Sequence, residues 1–406
     1  MAKQFSFTDL NNQINKISDS GGLFSESNHA NIKEWISTGN YALNACLSGS
    51  IYGGVASNRF TAWPGQSGVG KSFLMLNIAR EAQKMNYFIV YFDSENAVDP
   101  QTTARFGIDP TIFRHEPVST FKEVANIIMN ICKGLQEKKD EGYEIPKVYM
   151  FLDSLSMLAS TKELNDTIAG SEKKDMTKGQ DIRSLFTTIT SAMGKLDIGL
   201  SYSTHTYTAV GSFIPMDVMK GGQGAIYSAS AIIMLTKAQL KEDGKTKTGI
   251  IVSAKPQKSR FCKPNSIKFH ISFHRGMNPY VGLEPYLDWN KLGIAIGDYK
   301  EEFIDSLMFK EDGSPVMRAG KQRTEKVATG NMTFTPDPTG KKIAIKSTGE
   351  ELSISKLFTS EIFTTEILKL MEETIIKPLF ELPNIDASDP NSLIEDFGLS
   401  SDEELE

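Results

Sequence analysis

The eight residues GQSGVGKS, Gly65 to Ser72, limit what this chain can fold into more than any other stretch. They meet the phosphate-loop pattern G-x-x-x-x-G-K-[ST] at each fixed position. Gly65, Gly68 and Gly70 can take backbone angles closed to other residues, so successive amide hydrogens turn toward one anion. Gly65, Gln66, Ser67, Gly68, Val69, Gly70, Lys71 and Ser72 are therefore the candidate nucleotide-binding residues. Lys71 is placed to reach the β- and γ-phosphates, and the Ser72 hydroxyl to enter the shell of a Mg²⁺. The run before the loop, Arg59 to Trp63, reads as a short buried strand, and the run after it, Ser72 to Lys84, as a helix. A helix N-terminus then points at the phosphates. That context separates the motif from a glycine-rich turn that merely precedes Lys-Ser.

A chain of 406 residues is too long for one small core, and two or three units are expected. Its longest apolar runs, such as YFIVYF, are far too short to span a bilayer, and MAKQFSFTDL lacks an apolar signal core. A cytoplasmic protein with no membrane partner is expected. Cys46, Cys132 and Cys262 have no metal spacing and read as reduced core residues. The net charge of -6 is set by the tail, because Asp386 to Glu406 carries eight acids and no Lys or Arg. Without those eight, 42 acidic residues face 44 basic ones, so an acidic total does not exclude a nucleic-acid partner.

Four segments follow from the pattern: 1–35, 36–292, 293–385 and the acidic 386–406. In the first, Thr8-Asp9 is placed to cap a short helix with Leu10, Ile14 and Ile17 on one face. Such a helix needs a surface, either its own domain or a neighbouring subunit. From Trp35 onward, strands and helices alternate. YFIVYF ends in Asp93-Ser94-Glu95, KVYMFLDS ends in Asp153-Ser154, and IGLSYSTH ends in Thr204-His205. This order predicts an α/β fold with a right-handed, mostly parallel sheet, whose ligands lie at the carboxyl ends of the strands. SASAIIML, GIIVSAKP and SIKFHISF read as hairpin strands extending that sheet. Beyond residue 293, EEFIDSLMF and SEIFTTEILKLMEE read as helices, and 312–349 as loops or a hairpin.

The polar residues converge on one sheet edge. Asp153 suits the second Mg²⁺-side carboxylate, acting through water beside Ser72. Glu95 is the candidate general base toward an attacking water. His205 lies where a sensor of the γ-phosphate would sit, although a lone histidine is as often structural. Residues 206–224 leave the same edge as a long glycine-flanked loop carrying Tyr207, Phe213, Met216, Lys220, Gly221 and Gly222. Interleaved aromatic and basic residues suit contact with single-stranded nucleic acid. A second basic segment runs from Asn165 to Lys178 with Lys173, Lys174 and Lys178. Lys255, Lys258, Arg260 and Lys263 form a basic cluster that serves equally as a defended strand edge.

These motifs occur in the order found in a known family. The stretch from Ile36 to Ser72, with FDSENAVDP, YMFLDSLSML and KGGQGAIYSASAIIML, resembles the RecA-type DNA strand-exchange recombinases over residues 36–292. The STHTY element, the KSR triplet and the acidic tail are most similar to the recombinases of T-even-like bacteriophages. The resemblance implies a RecA-type phosphate-loop ATPase core with an N-terminal docking arm and a smaller α+β C-terminal domain. It implies ATP and Mg²⁺ held between adjacent subunits of a helical filament on single-stranded DNA, and pairing with homologous double-stranded DNA. Glu95 then becomes the catalytic glutamate and His205 the sensor, while Lys258 and Arg260 reach the neighbour's γ-phosphate. Residues 165–178 and 206–224 become the two DNA-contacting loops, and Asp99 a nucleotide contact. A phage single-strand-binding protein and a loading mediator are implied partners, in a host cytoplasm. After Asp99, where the family often places an aromatic over the adenine, the chain reads Pro100-Gln101-Thr102. A ring-shaped helicase of the same core, or a mediator that uses ATP only as a switch, are the alternative readings.

Overall fold

The computed structural model describes residues 6–17, 31–168, 177–208, 217–242, 245–311, 313–318, 321–336, 342–347 and 350–382. Helix α1 (Phe7–Asn15) is capped by Ser6 rather than by the expected Thr8-Asp9 pair. The Ser6 hydroxyl accepts the Asp9 amide, and the Asp9 carboxylate accepts the Ser6 amide at 3.0 Å. This reciprocal box needs an acid three residues after the cap, which places the cap at Ser6. Leu10, Ile14 and Ile17 are exposed.

Strands β1 (Trp35–Ile36) and β2 (Val55–Ala56) form a small antiparallel ribbon around α2 (Tyr41–Ser48). Next, β3 (Phe60–Pro64), buried throughout, leads through the phosphate loop into α3 (Lys71–Lys84). Then follow β4 (Tyr87–Asp93), α4 (Pro100–Phe106), β5 (Phe113–Pro117), α5 (Phe121–Asp140) and β6 (Lys147–Asp153). Helices α6 (Thr161–Ile168) and α7 (Lys178–Lys195) precede β7 (Gly199–Thr204). A ribbon of β8 (Thr206–Thr208) and β9 (Asp217–Met219) leads to α8 (Gly222–Ser228). The long hairpin β10 (Ala231–Glu242) and β11 (Thr246–Ser259) is extended by β12 (Ile267–Ser272) and β13 (Gly276–Met277).

The main sheet has nine strands in the order β13-β12-β11-β10-β3-β7-β6-β4-β5. From β10 to β5 neighbours run parallel, and from β10 to β13 antiparallel. The expected mostly parallel α/β sheet with an antiparallel extension is thus observed. Parallel strands covered on both faces read as continuous apolar runs, which is why β4 and β6 were visible in the sequence. The edge strand β5, FRHEP, was not foreseen. Its charged residues and terminal proline are what keep an open edge from pairing, and they also erase the apolar signal.

Alternation along the strands divides the core. Trp63, Tyr91 and Phe151 pack on the α2–α3 face, while Ala62, Phe92 and Leu152 pack against α5 and α7 on the other. Cys46, Cys132 and Cys262 are free and buried, as expected.

Residues 293 onward correct one expectation. EEFIDSLMF is not a helix: residues 301–307 are the second half of β14 (Ile294–Leu307), and Met308 and Phe309 follow it. After a ribbon of β15 (Met317–Arg318) and β16 (Lys321–Gln322), β14 pairs with β17 (Thr324–Pro336) from Gly297 to Leu307. Phe303, Ile304, Leu307 and Met308 have helical spacing in isolation, but a partner strand of matching length overrides local preference. Strands β18 (Lys342–Ile345) and β19 (Glu350–Ser353) complete a four-stranded sheet, β17-β14-β18-β19. The expected C-terminal helix is α9 (Thr365–Met371), which runs on through a π-helical turn, Glu372–Ile376, to Phe380. Met371, Ile376 and Phe380 share one buried cluster with Leu43, Cys46 and Cys262. The buried Glu372 carboxylate accepts the Ile51 amide at 3.0 Å, and the Phe380 carbonyl accepts that of Lys263 at 2.8 Å.

Candidate functional site

The phosphate loop is held at both ends by the sheet. Its first amide, Gly65 N, donates to Thr204 O of β7 at 3.0 Å, and Gly65 also bridges to Leu235 of β10. At its far end Gly70 sits at φ 90°, and a Cβ there would lie 2.7 Å from Ile271 Cδ1. The backbone angle therefore favours glycine, and any side chain there would also have to displace the end of Ile271. Lys71, the first residue of α3, folds back so that Nζ donates to Gly65 O at 2.9 Å and Gln66 O at 3.1 Å. Burial pushes its ammonium below the ordinary lysine range, against the opposing pull of Asp153 and Glu95.

Register brings the acids together, because Asp93 at the end of β4 lies opposite Asp153 at the end of β6. Their surroundings give them different work. Asp93 Oδ1 accepts the Glu95 amide at 3.1 Å, while Oδ2 accepts the Val98 amide at 3.0 Å and contacts His115 Nε2 at 3.1 Å. Burial pushes the Asp93 carboxyl up, but these donors outweigh it and hold the group below the usual range. Asp93 thus shapes the turn that presents Glu95. Asp153 is buried, with Oδ2 accepting Tyr91 OH at 2.9 Å and Oδ1 accepting the Ser203 hydroxyl. Burial first, and then Asp153, push the Tyr91 phenol well above its ordinary value, so it remains a donor. A carboxylate held by two hydroxyls keeps its orientation and suits contact with a hydrated cation. No cluster of three or more His, Cys, Asp or Glu suited to a metal occurs among the described residues. The hard oxygens of Ser72 and Asp153 fit a Mg²⁺ that takes its other ligands from water and phosphate.

Glu95 is partly exposed, and its Oε1 accepts from Ser154 Oγ at 2.9 Å and lies 3.4 Å from His205 Nε2. The chain enters and leaves His205 through fixed contacts: its amide donates to Ser156 Oγ at 3.1 Å, and its carbonyl accepts the Lys220 amide at 2.9 Å. The candidate base is therefore one histidine away from the β8–β9 ribbon. The expected loop leaves the edge as a paired stem, with Tyr207 opposite Val218. Tyr207 and Lys220 are exposed on it, followed by Gly221 and Gly222 at positive φ as α8 begins. Phe213, Met216, Lys173 and Lys174 lie outside the described residues. Lys178 is engaged inside the subunit, 3.9 Å from Glu163 and 5.9 Å from the Phe121 ring centroid. Asp99 caps α4 by accepting the Thr102 amide at 2.6 Å.

Two predicted residues are not with the rest. Lys258 pairs with Ile232, and Ser259 with Ala231, at the start of β10, whereas the phosphate loop meets β10 at Leu235. At about 3.3 Å per residue, Lys258 and the exposed Arg260 are displaced by about 10 Å or more along the strand direction from their own loop. Lys258 Nζ donates to Ile226 O at 2.9 Å and Tyr227 O at 3.3 Å, in the last turn of α8. Burial, and then Arg260, lower its pKa.

Comparison with known proteins fits this geometry. The RecA N-terminal domain family matches residues 8–139. The "Recombination and repair protein" of Enterobacteria phage T4 is 30% identical over 307 residues, which cover 73% of this chain and 75% of that protein. The chain belongs to the RecA family of recombinases. RecA of Rhodopirellula baltica is 26% identical over 247 residues, 60% of this chain and 61% of that protein. The mitochondrial "DNA repair protein recA homolog 3" of Arabidopsis thaliana is 24% identical over 255 residues, 59% of this chain and 54% of that protein. Among the described residues no helix is long and apolar enough to cross a membrane. Sequence reasoning missed two supports of this RecA-type site, the Tyr91 and Ser203 hydroxyls on Asp153. Their position in apolar strands was the available signal, since a buried hydroxyl requires a partner.

Proposed function

We propose that this RecA-family chain is a DNA-dependent ATPase that polymerises on single-stranded DNA and drives homologous pairing and strand exchange. The observation that supports it best is the division of the site. Lys71, Glu95, Asp153 and His205 share one sheet edge, while Lys258 and Arg260 stand at the far end of the β10–β11 hairpin. A complete site then requires two subunits.

In this reading the phosphate-loop amides and Lys71 bind the polyphosphate, and Lys71 exchanges its carbonyl partners for phosphate oxygens. Ser72 and, through water, Asp153 would hold Mg²⁺, which would supply charge neutralisation at the phosphates. Glu95 orients the attacking water and accepts its proton, positioned by Ser154 and by the turn around Asp93. Arg260 and Lys258 of the adjoining subunit act on the γ-phosphate. His205 passes the state of Glu95 to the ribbon that carries Tyr207, Lys220, Gly221 and Gly222 toward DNA. Lys173, Lys174, Lys178, Phe213 and Met216 belong to the same DNA-facing loops, and Asp99 to the nucleotide side. Residues 1–35 dock on the next subunit, 36–292 form the ATPase core, 293–385 the C-terminal domain and 386–406 the acidic tail. Homologous double-stranded DNA, a single-strand-binding protein and a loading mediator are the further partners, in the host cytoplasm.

Electron microscopy of the full-length protein with an ATP analogue and single-stranded DNA tests the assembly, and a joint-molecule assay tests strand exchange. Helical filaments and joint molecules are expected. Closed rings without joint molecules would overturn the reading in favour of a helicase, and turnover indifferent to Glu95→Ala would favour an ATP-switched mediator.

A further inference from the structure

The phosphate loop is contacted by a second lysine that motif reasoning does not assign. Lys237 lies on β10, two residues beyond Leu235, the residue that bridges Gly65. Positions two apart on a strand share a face, so Lys237 continues past the end of the bridge onto the side where the loop rises. Its Nζ donates to Ser67 O at 2.7 Å, and a Cβ on Gly68 would lie 2.9 Å from that nitrogen. Among the described residues no ion pair uses Lys237, and the side chain is exposed. Two ammonium groups therefore flank one loop, Lys71 on the carbonyls of Gly65 and Gln66 and Lys237 on that of Ser67.

A single neutral carbonyl is a weak partner for a solvent-exposed ammonium, and a polyphosphate is a far stronger one. The contact falls at the crest of the loop, at Ser67 and Gly68, away from the helix N-terminus that receives the inner phosphates. We propose that Lys237 is a binding residue for the terminal phosphate of the nucleotide, supplied by the same subunit that supplies the loop. The proximity of the two cations also contributes to lowering the pKa of Lys71. This role is distinct from that of Lys258 and Arg260, which stand at the open end of the same hairpin, where Lys258 pairs with Ile232, five positions along β10 from Lys237. The inference rests on the ATPase reading given above.

Equilibrium binding of ATPγS and of ADP to the full-length protein tests it, with Lys237→Gln, Lys237→Ala and Lys237→Arg compared with wild type. Gln keeps a donor for Ser67 O but has no charge, so it separates a phosphate ligand from a latch on the loop. Lys237→Gln and Lys237→Ala should weaken ATPγS about tenfold and ADP by less than about threefold, with Lys237→Arg close to wild type. Wild-type affinity in Lys237→Gln would overturn the inference, and so would equal weakening of both nucleotides. In either case the wild type still binds, and the ATPase reading stands. A wild-type protein that binds neither nucleotide would overturn both.

Discussion

A seam shared by two subunits can be tested by mixing two inactive proteins. Arg260→Ala removes the residue that stands far from its own loop, and Glu95→Ala removes the proposed base, which lies near Lys71. Alone, Arg260→Ala should lose turnover on the order of 10³-fold, and Glu95→Ala about 10²–10⁴-fold. Neither change removes Lys71 or the loop amides, so both variants should bind nucleotide and co-assemble. In a mixed head-to-tail assembly a seam works where a subunit with Glu95 adjoins one with Arg260. The fraction of such seams is the product of the two subunit fractions, so it peaks at about one quarter in an equimolar mixture. Release of phosphate on single-stranded DNA, followed across mixing ratios at fixed total protein, should trace a symmetrical arch with its summit near a quarter of the wild-type rate. A rate that remains at the weighted mean of the two pure variants would refute the reasoning, because it would place Glu95 and Arg260 in one subunit's site.

Other consequences are more local. Glu372→Ala should strand the Ile51 amide in the core and cost about 1–3 kcal/mol in chemical denaturation, with Glu372→Gln recovering most of it. Phe380→Ala, a fully buried ring in the cluster shared with Cys46 and Cys262, should cost about 3–5 kcal/mol and expose the Cys262 thiol to labelling reagents. Asp93 has a folded pKa below its unfolded value, so its stabilisation is complete above about pH 5 and is lost as pH falls through the folded value. Denaturation from pH 6 down to about pH 2 should therefore show a shallower acid slope in Asp93→Asn than in wild type. Tyr91→Phe should leave Asp153 with one hydroxyl partner and raise the Mg²⁺ concentration needed for half-maximal turnover, whereas an unchanged requirement would detach Asp153 from the cation.

How legible the molecule was in its sequence depended on which force placed each residue. Strands β4 and β6 were visible because burial on both faces leaves an unbroken apolar run, and the acids at their ends were therefore located. Edge strand β5 was hidden because an exposed edge must be charged, and His115, the partner of Asp93, was hidden with it. EEFIDSLMF looked helical because its spacing is local information, whereas its pairing with β17 is a long-range fact. Lys237 went unnoticed for a related reason, since only the bridge between Gly65 and Leu235 brings that position to the loop.

The β10–β11 hairpin has one further consequence. Lys237 stands midway along it beside its own loop, whereas Lys258 and the exposed Arg260 stand at its open end. If that open end serves the next subunit's nucleotide, as proposed, one hairpin joins two neighbouring pockets, and a change at either is felt at the other. A polymer of such units would then link every pocket to both of its neighbours through the same structural element.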